Sequence, residues 1–264
     1  MTTQEIRDNL HYFAVTLDGP RTRACTRLVL SGVGVAARPD TPELLAQARE
    51  WGIGHVVLHL GRDDLDIVDP AVFAGKVDAL VVPVQPGPTG GAVADATRVI
   101  QACQAAGIQV VANTVLSPLA LKDLLPAARA VVASGAQRVS LSYPFPIAGN
   151  VAGNVAPIAA TLQALGAAVG LLERSGVQVS IKGLPGCYLG DLARLIHRSA
   201  NRWYVDADHQ LDRAVLFFPG VVSFTKREVC RFCALDGQCD GFFATYLRRP
   251  GYPALKAVEP SPTS

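Results

Sequence analysis

Charge is scarce in this chain. Charged side chains make up 17% of its 264 residues, the formal net charge is +2, and the basic residues never gather into a run. A tract of one sign that would point to nucleic acid is missing, so no nucleic-acid partner is expected. Long apolar runs are missing too: no stretch approaches the roughly 20 residues of a membrane-spanning helix. The first residues, Met1-Thr2-Thr3-Gln4-Glu5, lack the basic and then apolar pattern of a secretory leader. These absences point to a cytoplasmic chain with no membrane segment. In that compartment, clustered cysteines read as metal ligands rather than disulfides. Half of the residues are apolar, enough for one large domain or for a barrel with a small appendage. Low charge combined with a positive mean hydropathy suits an extra buried surface such as a subunit interface, and an alanine-rich core explains it as well.

Three of the six cysteines fall within ten residues, Cys230, Cys233 and Cys239, spaced C-x2-C-x5-C. Thiolates this close together serve soft metals, above all iron–sulfur clusters and zinc. Either centre takes four ligands, so one more is needed. Cys103 lies in an apolar helical pattern beside Val99, Ile100 and Ala106 and reads as a core residue. Cys187 sits in the Gly/Pro turn Gly183-Leu-Pro-Gly-Cys187-Tyr-Leu-Gly190, where the backbone can bend around a metal. It is the predicted fourth ligand; the alternative is a half-buried thiol with no ligand role.

Upstream, short apolar runs alternate with amphipathic helical stretches. Strands are expected near residues 12 (Tyr12–Leu17), 55, 79, 109, 138 and 178. Helices are expected at Thr41–Trp51, Ala92–Ala106, Leu119–Ser134, about Pro157–Ser175 and Leu189–Arg198. Helix, glycine, then strand recurs at Gly107, Gly135 and Gly176, the signature of parallel β/α units. Six such units fall short of a closed eight-fold barrel and leave an open partial barrel or a doubly wound sheet. From about Asn201 the rhythm breaks. Trp203–Asp206 and Ala214–Phe218 look like a hairpin, the cysteine segment follows, and a Pro-rich polar tail closes the chain. The expected units are a barrel over 1–200, a metal-binding extension over 201–255 and a disordered tail over 256–264.

The C-terminal ends of the strands carry Asp18, His59, Gln85, Asn113, Tyr143 and Lys182. Such a polar rim suits a small-molecule pocket at a barrel mouth, although polar residues also end strands simply because the chain meets water there. Lys182 at the end of the sixth strand is a candidate Schiff-base former if desolvated; a carboxylate partner or plain exposure is the blander reading. His55, His59, His197 and His209 show no ligand spacing, and Asp206-Ala-Asp208-His209 is a compact polar corner.

Together these features resemble the radical S-adenosylmethionine (SAM) superfamily over most of the chain, from about Tyr12 to Pro253. The resemblance rests on the six-unit rhythm, on the tail Cys230, Cys233, Cys239, Gly241 and Tyr246, on the Leu184–Cys187 turn and on the run from Asn113. It implies an open (β/α)6 barrel with a SPASM/Twitch-like auxiliary [4Fe–4S] cluster held by Cys187, Cys230, Cys233 and Cys239, zinc being the alternative metal. Active members hold a second cluster with C-x3-C-x2-C after the first strand. The equivalent positions here are Cys25, Val29 and Gly32. The turn that receives the SAM amino group in the family reads His59-Leu-Gly-Arg62-Asp63 here. An Arg in place of a carboxylate reverses an interaction worth several kcal/mol. SAM binding and cleavage are therefore not expected. The resemblance implies a degenerate partner subunit, supporting an active radical SAM enzyme by binding substrate or relaying electrons. The alternatives are a barrel enzyme using Lys182, Asn113, Tyr143 and Asp206, a zinc-stapled structural protein, and a composite site in which a partner chain completes Cys25.

Overall fold

The computed structural model describes residues 2–15, 27–32, 34–86, 91–146, 155–196, 203–206 and 224–259. The chain opens with helix α1 (Thr3–Val15), whose Ile6, Leu10 and Ala14 recur every fourth residue and are buried. That periodicity overrides the strand-like look of Tyr12–Val15 and corrects the expected first strand. The first strand is instead β1 (Arg27–Ser31), and β2 (His55–His59), β3 (Ala79–Pro83), β4 (Gln109–Val115), β5 (Arg138–Ser142) and β6 (Gln178–Lys182) follow where the rhythm predicts them. Helix α2 (Thr41–Glu50) lies between β1 and β2, α3 (Gly91–Ala105) before β4, and α6 (Ile158–Arg174) before β6.

The helix expected over Leu119–Ser134 comes as two pieces, α4 (Pro118–Lys122) and α5 (Leu124–Ala133), parted at Asp123. Pro126 has no N–H to donate to the carbonyl of Lys122, and the helix breaks at that turn. Likewise Leu189–Arg198 is not a regular helix: one α-turn at Gly186–Leu189 passes into a 3-10 stretch at Gly190–Leu195. Asp40 precedes α2 without capping it. Its carboxylate takes hydrogen bonds from Arg38 at 3.1 Å and from Thr3, fastening α1 to the start of α2. The Arg38 guanidinium holds its pKa down to about 2.

The strand Trp203–Asp206 is β7, and it pairs parallel with the outer edge of β1. It therefore extends the barrel sheet instead of opening a separate hairpin; Ala214–Phe218 lies outside the described residues. A short apolar strand reads alike in parallel and antiparallel pairing, and the sequence did not separate the two. The sheet order is β6-β5-β4-β3-β2-β1-β7, all parallel. β6 and β7 are not neighbours, so the barrel is open.

Chain length shows that the sheet curls. Ile196 bridges to Ile181 beyond β6, while Trp203 pairs with Leu28 beyond β1. In a flat sheet these residues would stand seven strand spacings apart, about 34 Å. The seven peptide steps between them reach at most about 25 Å. Strand alternation then divides the side chains. Leu28, Leu30, Val56, Leu58, Leu80, Val82, Val139, Leu141, Val179 and Ile181 face the helices in one large core. Val29, Val57, Ala79 and Val81, with Val111 against them, form a separate apolar patch on the concave face. No helix among the described residues is long and apolar enough to cross a membrane.

Candidate metal centre

The cysteine segment is a loop closed at its base by a two-stranded antiparallel ladder, β8 (Phe224–Thr225) with β9 (Phe242–Phe243). Gly241 turns the loop into β9 with φ +89°, a left-handed conformation. Within the loop the backbone folds in successive tight turns: Cys230 N–H donates to Arg227 O at 2.9 Å, Cys233 N–H to Cys230 O at 3.1 Å, Asp236 N–H to Cys233 O at 3.0 Å and Cys239 N–H to Leu235 O at 2.9 Å. Lys226 Nζ donates to both the carbonyl and the carboxylate of Asp236 at 2.7 Å, tying one side of the loop to the other.

The turns bring all four sequence-predicted thiols together. Cys187, Cys230, Cys233 and Cys239 line one pocket, with Lys226, Leu235 and Lys256 among its other walls. The enclosed space among them is small, about 20 Å³. Backbone N–H groups point at the sulfurs. Leu235 and Val258 donate to Cys233 Sγ at 3.4 and 3.3 Å, Gly241 donates to Cys239 Sγ at 3.3 Å, and Lys256 N–H bonds Cys187. Burial pushes the Cys187 thiol up, the Lys256 N–H opposes it, and neighbouring Cys239 and Cys230 add to the rise. Cys103 is wholly buried in the helix core, its thiol pushed up to about 12 by burial, as its apolar setting predicts. The Val258 bond to Cys233, and the Ala234 N–H to Val258 O bond at 2.9 Å, make residues 256–259 part of this unit and not of a free tail.

A thiolate cage accepts metal when its sulfurs are acceptors and its backbone donors offset their charge. Backbone donors of this kind reach Cys187, Cys233 and Cys239 here. A mononuclear zinc site would in addition need its sulfurs about 3.8 Å apart, on the vertices of a tetrahedron of 2.3 Å bonds. Among the described residues no three His, Cys, Asp or Glu side chains converge in a way that could hold one ion.

An aromatic block docks this unit at the C-terminal ends of β5 and β6. Phe242, Phe243 and Tyr246 are almost wholly buried, and Tyr246 Oη donates to Pro144 O at 2.9 Å. Tyr246 and Tyr252 stack at 5.5 Å, and the Tyr252 and Tyr143 hydroxyls meet at 2.9 Å. Tyr143 Oη also bonds Ala156 O at 2.9 Å, and burial pushes its pKa far up. Tyr143 shares the parity of Val139 and Leu141, so it faces the docking side and not the barrel mouth. It is an anchor, and its predicted place in a pocket rim is corrected. Two other rim residues are also spoken for: Gln85 clamps Val115 through Nε2 to O at 2.9 Å and N–H to Oε1 at 3.0 Å, and Asn113 Oδ1 accepts from Ser142 at 2.8 Å. His59 and Lys182 lie on the concave side, and Lys182 is exposed, against the desolvation a Schiff-base lysine needs. Asp18, His197, Asp208 and His209 lie outside the described residues, as does Cys25.

The expected degenerate motif is displaced by the new first strand. Val29 is a buried mid-strand residue of β1, and Cys25 precedes that strand instead of following it. The segment that does follow β1, from Gly32 to Gly54, contains no cysteine. After β2, Gly61 N–H donates to the buried Asp64 carboxylate at 2.6 Å while Arg62 is exposed. The sequence missed Lys226, Asp236 and Lys256 as parts of the pocket; its only hint was their closeness to the cysteines.

No family model matches the chain, and no curated protein matches it. Solved structures do resemble it. SuiB from Streptococcus suis, bound to S-adenosylmethionine, superposes with a TM-score of 0.52 at 12% identity, covering 85% of this chain and 63% of that one. SuiB bound to precursor peptide SuiA gives 0.49 at 12% identity over 86% and 74% of the two chains. A domain of pyruvate-formate lyase-activating enzyme from Bacteroides vulgatus gives 0.43 at 11% identity over 59% and 98%. This chain spans less than two thirds of the SAM-bound SuiB chain. The fold is thus an α/β partial barrel of the radical-SAM-like kind, here carrying a cysteine-bearing extension.

Proposed function

We propose that this chain holds one [4Fe–4S] cluster through Cys187, Cys230, Cys233 and Cys239, and that it acts as a non-catalytic partner of an active radical SAM enzyme, aiding substrate binding or electron relay. The convergence of all four cysteines on one pocket, with N–H groups aimed at the sulfurs of Cys187, Cys233 and Cys239, carries this reading. When bound, such a cluster supplies one-electron redox chemistry and ties the loop to the barrel. The protein's own part is to present four thiolates, offset their charge with backbone donors, Lys226 and Lys256, and shield Cys187 by burial. The absence of cysteine between β1 and β2 supports the lack of a SAM-cleaving cluster. The low charge of the chain suits a protein interface.

Anaerobic purification, alone and with a candidate radical SAM partner, tests the proposal. Iron and sulfide near four per chain are expected, with a drop by more than half in Cys187→Ala and in Cys233→Ala. No SAM cleavage is expected from this chain alone. Stoichiometric zinc in a colourless protein would replace the cluster reading with a structural staple, and SAM cleavage by the isolated chain would overturn the partner role.

A further inference from the structure

The turn that carries Cys187 has a socket beside that cysteine. A β-carbon on Gly186 would stand 2.5 Å from Leu235 Cδ1 and 3.0 Å from Ile196 Cδ1. The Leu235 side chain thus already fills the place that any larger residue at 186 would take. Gly186 is buried, and the half-buried Leu235 packs against the barrel core. The backbone of the same leucine serves two loop cysteines. Its N–H donates to Cys233 Sγ at 3.4 Å, and its carbonyl accepts from Cys239 N–H at 2.9 Å. Gly183, three residues before Gly186, is a second point of close approach: a β-carbon there would come 3.0 Å from Tyr143 O and 3.3 Å from Phe243 Cε2. The turn therefore meets the base of the loop at Gly183 and its interior at Gly186.

We propose that Leu235, seated against Gly186, is the positioning residue that brings Cys187 to the three loop cysteines. The proposal deepens the cluster reading above and rests on it for what the thiols hold. Local turns gather Cys230, Cys233 and Cys239, whereas Cys187 lies about forty residues upstream and must be carried to them against the entropy of closing that loop. Leu235 makes no ligand bond; it acts through the turn that its side chain touches and the cysteines that its backbone holds. Truncating it leaves a gap beside Gly186, and a methyl group added at Gly186 pushes it away. Either change separates Cys187 from the loop thiols while the loop keeps its own turns. Methionine is close to leucine in volume and fills the same socket.

The test uses the reduced, metal-free full chain and dibromobimane, a short reagent that joins two nearby thiols, with the linked peptides identified by mass spectrometry. The parent should give a link between Cys187 and a loop cysteine. That link should fall at least fivefold in Leu235→Ala and at least twofold in Gly186→Ala, and stay near the parent in Leu235→Met. With Leu235→Ala already present, adding Gly186→Ala should cause no further loss, because the new methyl group then has room. Links among Cys230, Cys233 and Cys239 should be unchanged in every variant, which a general loss of fold would not allow. A parent without the Cys187 link, an undiminished link in Leu235→Ala, or an equal fall in the links within the loop overturns the positioning role. Iron uptake after anaerobic reconstitution is measured beside it. The expected links in a chain that takes up no iron would uphold the positioning role and overturn the cluster reading instead.

Discussion

A β-carbon on Gly241 would sit 2.1 Å from the carbonyl oxygen of Thr225, and the residue's φ of +89° is one that side chains avoid. Both obstacles are backbone, so neither yields cheaply. Gly241→Ala should cost about 1–3 kcal/mol and lower uptake of the proposed cluster, read as iron per chain beside the parent. A second residue-scale test concerns Asp40. Its folded pKa, about 2, lies below the ordinary 3.8, so its contribution is fully present above about pH 4 and is lost as pH falls through 2. With solvent screening allowed for, the gain is about 1–2 kcal/mol at neutral pH. Asp40→Asn should lose that much in urea unfolding at pH 7, and the gap between the two proteins should narrow between pH 4 and pH 2. At this scale the cysteines were legible because thiols have so few reasons to cluster, and Cys187 because its turn is rich in Gly and Pro. Tyr143 was misread because residue type at a strand end does not say which face the side chain takes; its parity with Leu141 does.

At the scale of elements, β2 through β6 were legible because each follows an apolar or glycine-ended segment. Gly107, Gly135 and Gly176 all adopt positive φ just past their helices. The first strand was misplaced because Tyr12–Val15 is rich in strand-favouring residues while the deciding helical contacts, Ile6, Leu10 and Ala14, are spread over nine positions. The cysteine unit is held to the barrel by rings, with Tyr246 buried among them and bonded to Pro144. Tyr246→Ala should remove about 3–5 kcal/mol from that docking. The expected result is faster tryptic cleavage at Lys226, Arg227 and Arg231 and loss of bound iron, with the far-ultraviolet circular dichroism of the barrel nearly unchanged.

Across the whole molecule, stability is predicted to be unevenly shared. The barrel strands pack on the helices through one extensive core, whereas the loop between β8 and β9 sets only the half-buried Cys230, Leu235 and Cys239 against that core, beside short turns, the Lys226–Asp236 ion pair and its proposed metal. Oxidative removal of the proposed cluster should therefore raise hydrogen exchange over residues 226–241 while β2 to β5 keep their protection, as mass spectrometry of digested peptides would show. Uniform loosening of barrel and loop together would contradict this division.

Both sides of the curled sheet are met by other parts of the same chain. β7 covers the edge of β1, and the Ile181–Ile196 bridge meets the edge of β6. Unpaired strand edges are where copies of a protein add to one another and aggregate. Here the outermost strand on the β1 side is only four residues long, and a single bridge interrupts the other side. Among the described residues the open barrel therefore offers little template for runaway growth.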